Sequence, residues 1–214
     1  MYSLPFYFEI AALISSLIVW GKIKRSRYLQ LFPFLLSVIV FGELYGYYLS
    51  VKYHNNLWLS NIIFPIVFSM YFRILYLSLN NKSFKKFVIV ASLIFALISA
   101  FTLYVYINVK LLFNIWMYIS GTLILVACIV FKIYELLDDP TKLDFLKNPY
   151  FYILIFTLLF YIVTIPVYTM NSWLSQVKID ENITIINNVF NFLNIVLYGS
   201  YAMCFLWIGK ADIS

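Results

Sequence analysis

This sequence predicts an all-α, polytopic membrane protein, a bundle of seven transmembrane helices with its N-terminus outside and its C-terminus in the cytoplasm. Three observations predict it. Seven apolar runs have the length of a membrane crossing, the composition is too apolar for a soluble core, and the basic residues crowd into alternate connections.

The composition is 64% hydrophobic and 11% charged, with a mean hydropathy of +0.92. Soluble domains are about 45–50% apolar and about 25% charged. A chain of 214 residues has too little interior volume to hide this excess from water. The apolar runs cover about 4–20, 31–50, 57–79, 87–107, 112–131, 150–170 and 185–207. A spanning helix needs about 20 apolar residues. Lipid offers the backbone no hydrogen-bond partner, so each run must pair its own backbone as a helix. The alternation of a membrane barrel strand is missing. The connections are short, so residues 1–214 read as one membrane domain with no soluble domain and no internal repeat.

The first run is read as a retained helix rather than a signal peptide. A signal peptide carries its positive charges before the apolar region. Here "MYSLPFYFEI" has no basic side chain, and Lys22, Lys24, Arg25 and Arg27 follow the run. Connections 1, 3 and 5 and the tail hold eleven basic residues, adding Lys82, Lys85, Lys86, Lys132, Lys142, Lys147 and Lys210; connections 2, 4 and 6 hold three, Lys52, Lys110 and Lys178. Cytoplasmic loops carry the excess of Lys and Arg, which sets the orientation. Trp20, Tyr28, Trp58, Trp116, Tyr150, Trp173 and Trp207 lie near run ends, where interfacial aromatic residues sit. The localisation that follows is integral to a membrane, read as the bacterial inner membrane from the Ile/Leu/Phe/Asn/Lys-rich composition.

The fifth connection, about 132–149, has internal structure. Asp139-Pro140 reads as an N-cap followed by proline at the first helical position. Leu143, Phe145 and Leu146 interleave with Lys142, Asp144 and Lys147, and Asn148-Pro149 stops the segment. The pattern predicts a short amphipathic helix over 139–148 at the inner surface, where a membrane or cytoplasmic partner could dock; a plain linker is the alternative.

Polar residues inside the runs define the candidate site. Glu43 is the charge in the run 31–50, about 10 Å below its outer edge. An ionised carboxylate in lipid costs at least about 2.5–3.5 kcal/mol at the bilayer centre, so Glu43 is expected to face the bundle interior or a wet cavity. Glu9, Asn61, Asn191 and Asn194 fall in the same outer half, with Thr164 beside Pro166. Pro65 and Pro166 each remove a helical hydrogen bond and predict kinks there. Gly42 and Gly46 form a G-x-x-x-G beside Glu43 that admits a second helix closely. Arg73 lies near the inner edge and is read as snorkelling to the interface. The outer polar cluster is either interhelical glue or a ligand or proton site, and both readings stand at this level.

Several function classes are disfavoured. Cys128 and Cys204 lie in apolar runs, and His54 is the one histidine, so no metal-ligand spacing arises and no cofactor is expected. The net charge of +6 is spread over connections, which argues against nucleic acid. A retinal protein needs a lysine deep in its last helix; here that helix has only Lys210 at its end, so no retinal is expected. No nucleophile or acid–base spacing is visible, so no enzyme is expected.

In "NNLWLSNIIFPIVF", "YELLDDPTKLDFLKNPYFYILI" and "NVFNFLNIVLYGSYAMCFL" the chain resembles small bacterial seven-helix membrane proteins. Its layout is also similar to the seven-helix input region of some membrane histidine kinases. The resemblance implies a sensing or scaffold role with output through a partner, and brings no catalytic residues. Three functions are therefore expected in order: a sensor, receptor-like or scaffold bundle, a small transporter or proton-coupled carrier using Glu43, and a lipid-modifying enzyme.

Overall fold

The computed structural model describes residues 3–106, 114–138, 145–177 and 180–210. Each apolar run becomes a helix, and most helices continue past the run that predicts them. In chain order they are α1 (Leu4–Ile18), α2 (Trp20–Ile23), α3 (Phe32–Tyr53), α4 (Leu57–Ser78), α5 (Lys82–Tyr106), α6 (Ile115–Leu137), α7 (Pro149–Val177) and α8 (Asp180–Lys210), with single 3-10 turns at Leu29–Leu31 and Phe145–Lys147. Hydropathy marks the stretch that suits lipid. Polar residues such as Lys82 and Lys132 have good helix propensity and extend the helices beyond it.

Six helical stretches are long and apolar enough to cross a membrane: Leu29–Tyr53, Leu57–Ser78, Lys82–Val105, Ile115–Leu137, Pro149–Thr169 and Ile186–Lys210. This is the architecture of an integral membrane protein. The first run gives a shorter helix of 15 residues, about 22 Å at 1.5 Å per residue, less than the ~30 Å core. A one-residue irregularity at Val19 separates it from α2, whose Lys22 and Ile23 N–H groups both bond to the Val19 carbonyl. So the structure carries six of the seven expected spans at full length.

The chain forms two compact units, Met1–Ile23 with Asp144–Ser214, and Lys24–Leu143. In the first, α8 packs on both α1 and α7. Phe8 lies against Gly199 and Val19 against Gly209, so α1 and α8 run parallel. The Thr157 and Tyr201 hydroxyls meet at 2.6 Å, and the Tyr168 and Phe190 rings at 4.7 Å, so α7 and α8 run antiparallel. Thr157 donates to the Ile153 carbonyl, which makes Tyr201 the donor to Thr157. Asn148 follows the end of the Phe145–Lys147 turn, and with Pro149 it also starts α7: the Asn148 carboxamide accepts the Tyr150 N–H and proline takes the first helical position. The rest of the 139–148 helix lies largely outside the described residues; Phe145–Lys147 is a 3-10 turn.

In the second unit α4 is central, touching α3, α5 and α6. Phe64, Phe68, Phe72, Phe95 and Tyr118 form a chain of edge-on and stacked rings 5.1–6.4 Å apart. Gly121 makes room for it: a β-carbon there would sit 2.7 Å from the Phe95 ring and 2.8 Å from the Phe68 ring. At Gly42 a β-carbon would meet the tip of Ile63, 2.5 Å away, and at Gly46 it would make ordinary contacts with Asn56 and Leu59. Of the G-x-x-x-G only Gly42 is tight against α4, and its neighbour there is the flexible end of a side chain. Cys128 and Cys204 are buried free thiols. Pro65 and Pro166 lie inside the continuous helices α4 and α7.

Gly121→Ala is expected to destabilise the protein by about 1–3 kcal/mol, because two packed rings must move. Gly42→Ala should be close to neutral, since the Ile63 tip can rotate and alanine favours helix by up to about 1 kcal/mol. Thermal unfolding in detergent checks the order; equal melting temperatures for the two variants would contradict it.

Candidate functional site

The residues expected to form an outer polar site divide between the two units. Glu43 and Asn61 belong to the second, and Glu9, Thr164, Asn191 and Asn194 to the first. Contacts of Gly42 with Ile63 and Gly46 with Leu59 put Glu43 and Asn61 at one level of the α3–α4 pair. Their environments differ. Asn61 is 6% exposed, and its Oδ1 accepts the Asn114 backbone N–H at 2.9 Å. Asn114 is the N-cap of α6 and accepts the Met117 N–H at 3.1 Å. Asn61 therefore helps to anchor the start of α6. Glu43 shares a face of α3 with Leu36, Val40 and Gly46, at helical spacing. Those three are buried, yet Glu43 is exposed. Among the described residues it has no hydrogen bond or ion pair. The buried stripe of α3 is open at its carboxylate.

In the first unit the α7–α8 register brings Thr164 level with Asn194. Thr164 is fully buried and donates to the Tyr161 carbonyl at 3.0 Å; Asn194 is half-buried and donates to the Phe190 carbonyl at 3.0 Å. Asn191 is exposed. Glu9 is buried at 6% exposure in α1. The α1–α8 register sets it about two turns from Asn194 along the axis.

A second polar site, not anticipated from sequence, joins three helix ends in the second unit. Lys132 and Glu135 lie one turn apart on α6, 3.7 Å from each other, and their side chains are 6% and 15% exposed. Lys132 Nζ donates to the Ser78 carbonyl at 2.6 Å, in the last turn of α4. Glu135 Oε1 accepts the Asn80 N–H at 2.6 Å and the Asn81 N–H at 3.3 Å, just before α5. A cation thus meets carbonyls at one helix C-terminus and a carboxylate meets amides at the next N-terminus, as the unpaired groups and the helix dipoles favour. Asn81 adds a side-chain cap on Ser83 at 2.8 Å. Beside this clamp is a cleft of about 300 Å³ lined by Asn80, Asn81, Phe84, Lys132, Glu135 and Asp138.

The expectation that Lys132 belongs to the fifth connection is corrected here: it is a buried residue of α6. The signal was present. Buried positions Leu125, Cys128, Ile129, Lys132 and Leu136 continue one helical stripe past residue 131. The lysine on it reads as a loop charge unless the i, i+3 pairing with Glu135 is considered. Among the described residues no cluster of three or more metal-ligating side chains occurs. No protein-family model, curated protein or solved structure matches the chain.

Lys132→Met should destabilise by about 2 kcal/mol, because the buried Ser78 carbonyl loses its donor and the Glu135 carboxylate loses its neighbouring cation. Glu135→Gln should cost about half as much, since the amide oxygen can still accept from Asn80. The double variant should cost less than the sum, because the residues share one network. A wild-type melting temperature for Lys132→Met would remove the clamp from the account of stability.

Proposed function

We propose that this chain is a sensor-like or scaffold membrane bundle that receives a ligand or a neighbouring membrane protein at Glu43 and passes its state to a partner at the opposite end. The observation carrying this reading is the exposed carboxylate on the otherwise buried stripe of α3, inside the span Leu29–Tyr53. An unpaired carboxylate at membrane depth is costly, and such residues mark ligand, ion or proton sites. The group that suits Glu43 is cationic or a strong hydrogen-bond donor. We take the chain to cross seven times, with α1 and α2 together making the first crossing, the N-terminus outside and the α4–α5 turn in the cytoplasm of a bacterial cell. The Lys132–Glu135 clamp supports the output side of the reading. A small shift of α6 would act on the end of α4 and the start of α5 together, and α6 leads directly into the 139–148 connection.

The test uses thiol accessibility, since both native cysteines are buried. In intact cells, Glu43→Cys should react with a membrane-impermeant methanethiosulfonate ammonium reagent many times faster than Val40→Cys. Equal, negligible rates would overturn the reading. Purified wild-type protein in liposomes should show no proton flux that depends on Glu43. Flux lost in Glu43→Gln would instead establish the carrier reading.

A further inference from the structure

The end of the second unit that carries the α4–α5 turn has a second face. Arg73 and Tyr76 are one turn apart on α4, and the Arg73 guanidinium carbon lies 5.6 Å from the Tyr76 ring centroid. Lys85 of α5 reaches the same ring, its Nζ also 5.6 Å from the centroid. Each cation is attracted to the ring, but two like charges on one tyrosine repel each other unless an anion joins them. Among the described residues neither Arg73 nor Lys85 has an acidic partner. Lys82 and Lys86 are exposed on the same first turns of α5 and add to the positive field.

Position decides which anion fits. Arg73 is inside the span Leu57–Ser78, five residues before its end, about 7 Å deep. A group that reaches it at that depth comes most readily from the membrane. The neighbouring surface suits acyl chains: α5 is the least buried of the six spans, with 22% of its most apolar stretch buried, and Phe87, Val90, Leu93 and Ile94 are exposed along it. Basic pockets between helices on the cytoplasmic side hold anionic lipid headgroups. The clamp on the other side fixes the turn, since Ser78, Asn80 and Asn81 are all held by α6. That restricts Lys85 relative to Arg73 before any lipid arrives, which lowers the ordering cost of binding.

We propose that Arg73, Tyr76 and Lys85 form a site for the phosphate headgroup of an anionic phospholipid of the inner leaflet, whose acyl chains lie along α5. This rests on the orientation given by the basic residues and not on the role of Glu43, so either can fail without the other.

Native mass spectrometry of the full chain in detergent, titrated with phosphatidylglycerol or phosphatidylcholine, tests it. Phosphatidylglycerol should bind at least about tenfold more tightly than phosphatidylcholine, and R73Q/K85Q should lose most of that difference. The charge-matched control K24Q/R25Q should retain it. Equal binding of the two lipids, or equal loss in both double variants, would overturn the site in favour of diffuse charge. Competition by soluble glycerol phosphate as strong as that by the lipid would overturn the membrane source. If R73Q/K85Q fails to fold, a photoactivatable phosphatidylglycerol on wild-type protein serves instead. Adducts should map to α4 and α5 around Arg73 and Lys85, and adducts elsewhere would overturn the proposal.

Discussion

The second unit depends on one ion pair that satisfies two helix ends at once. A helix leaves carbonyls unpaired at its C-terminus and amides unpaired at its N-terminus. Where α4 turns into α5, both kinds of orphan lie within a few residues of each other. Lys132 takes a carbonyl of the first helix and Glu135 takes amides before the second. The pair itself is 3.7 Å apart, too long for a strong hydrogen bond, and most of its value lies in the backbone groups it holds. A buried lysine would be costly if this arrangement were missing.

The other end of α4 uses the same logic with neutral groups. Asn61 accepts the first free amide of α6 through Asn114. The two ties are 17 residues apart on α4, about 26 Å along the helix and close to the ~30 Å thickness of the hydrocarbon core. Between them the α4–α6 contact is made by aromatic rings and a glycine. Polar groups thus register α4 against α6 near the two interfaces, where water or headgroups soften the cost of imperfect pairing. Dispersion and ring packing serve the middle, where a polar tie would be hardest to satisfy.

The helices were legible because lipid imposes a length and an apolar composition on each run. Their ends were not, because beyond the lipid boundary hydropathy stops reporting and caps take over. Asn148-Pro149 illustrates this: the dipeptide reads as a stop, and it is also the cap that begins α7. Glu43 stood out at once, as a charge in an apolar run. Lys132 did not, since a lysine near a run end resembles a topogenic loop charge, and its burial arises from the turn between α4 and α5, distant in sequence. Asn61 was visible as a polar residue but not as an anchor, for its partner is a backbone amide 53 residues away. Side-chain chemistry can be read from sequence; which backbone groups will need it cannot.

That distinction bears on the two readings of the polar residues. Interhelical glue requires a partner. Asn61, Thr157, Thr164, Lys132 and Glu135 each have one, and in each case it includes a backbone group or a neighbouring side chain of the protein. Glu43 departs from this pattern: it shares a stripe with Leu36, Val40 and Gly46, and among the described residues nothing binds it. Glutamine at that position would fit the same space with a smaller desolvation cost. A carboxylate that gives the fold no hydrogen bond and costs more than its neutral isostere does not contribute as glue. Its exposure on an otherwise buried stripe sets it apart from the residues that tie the helices together.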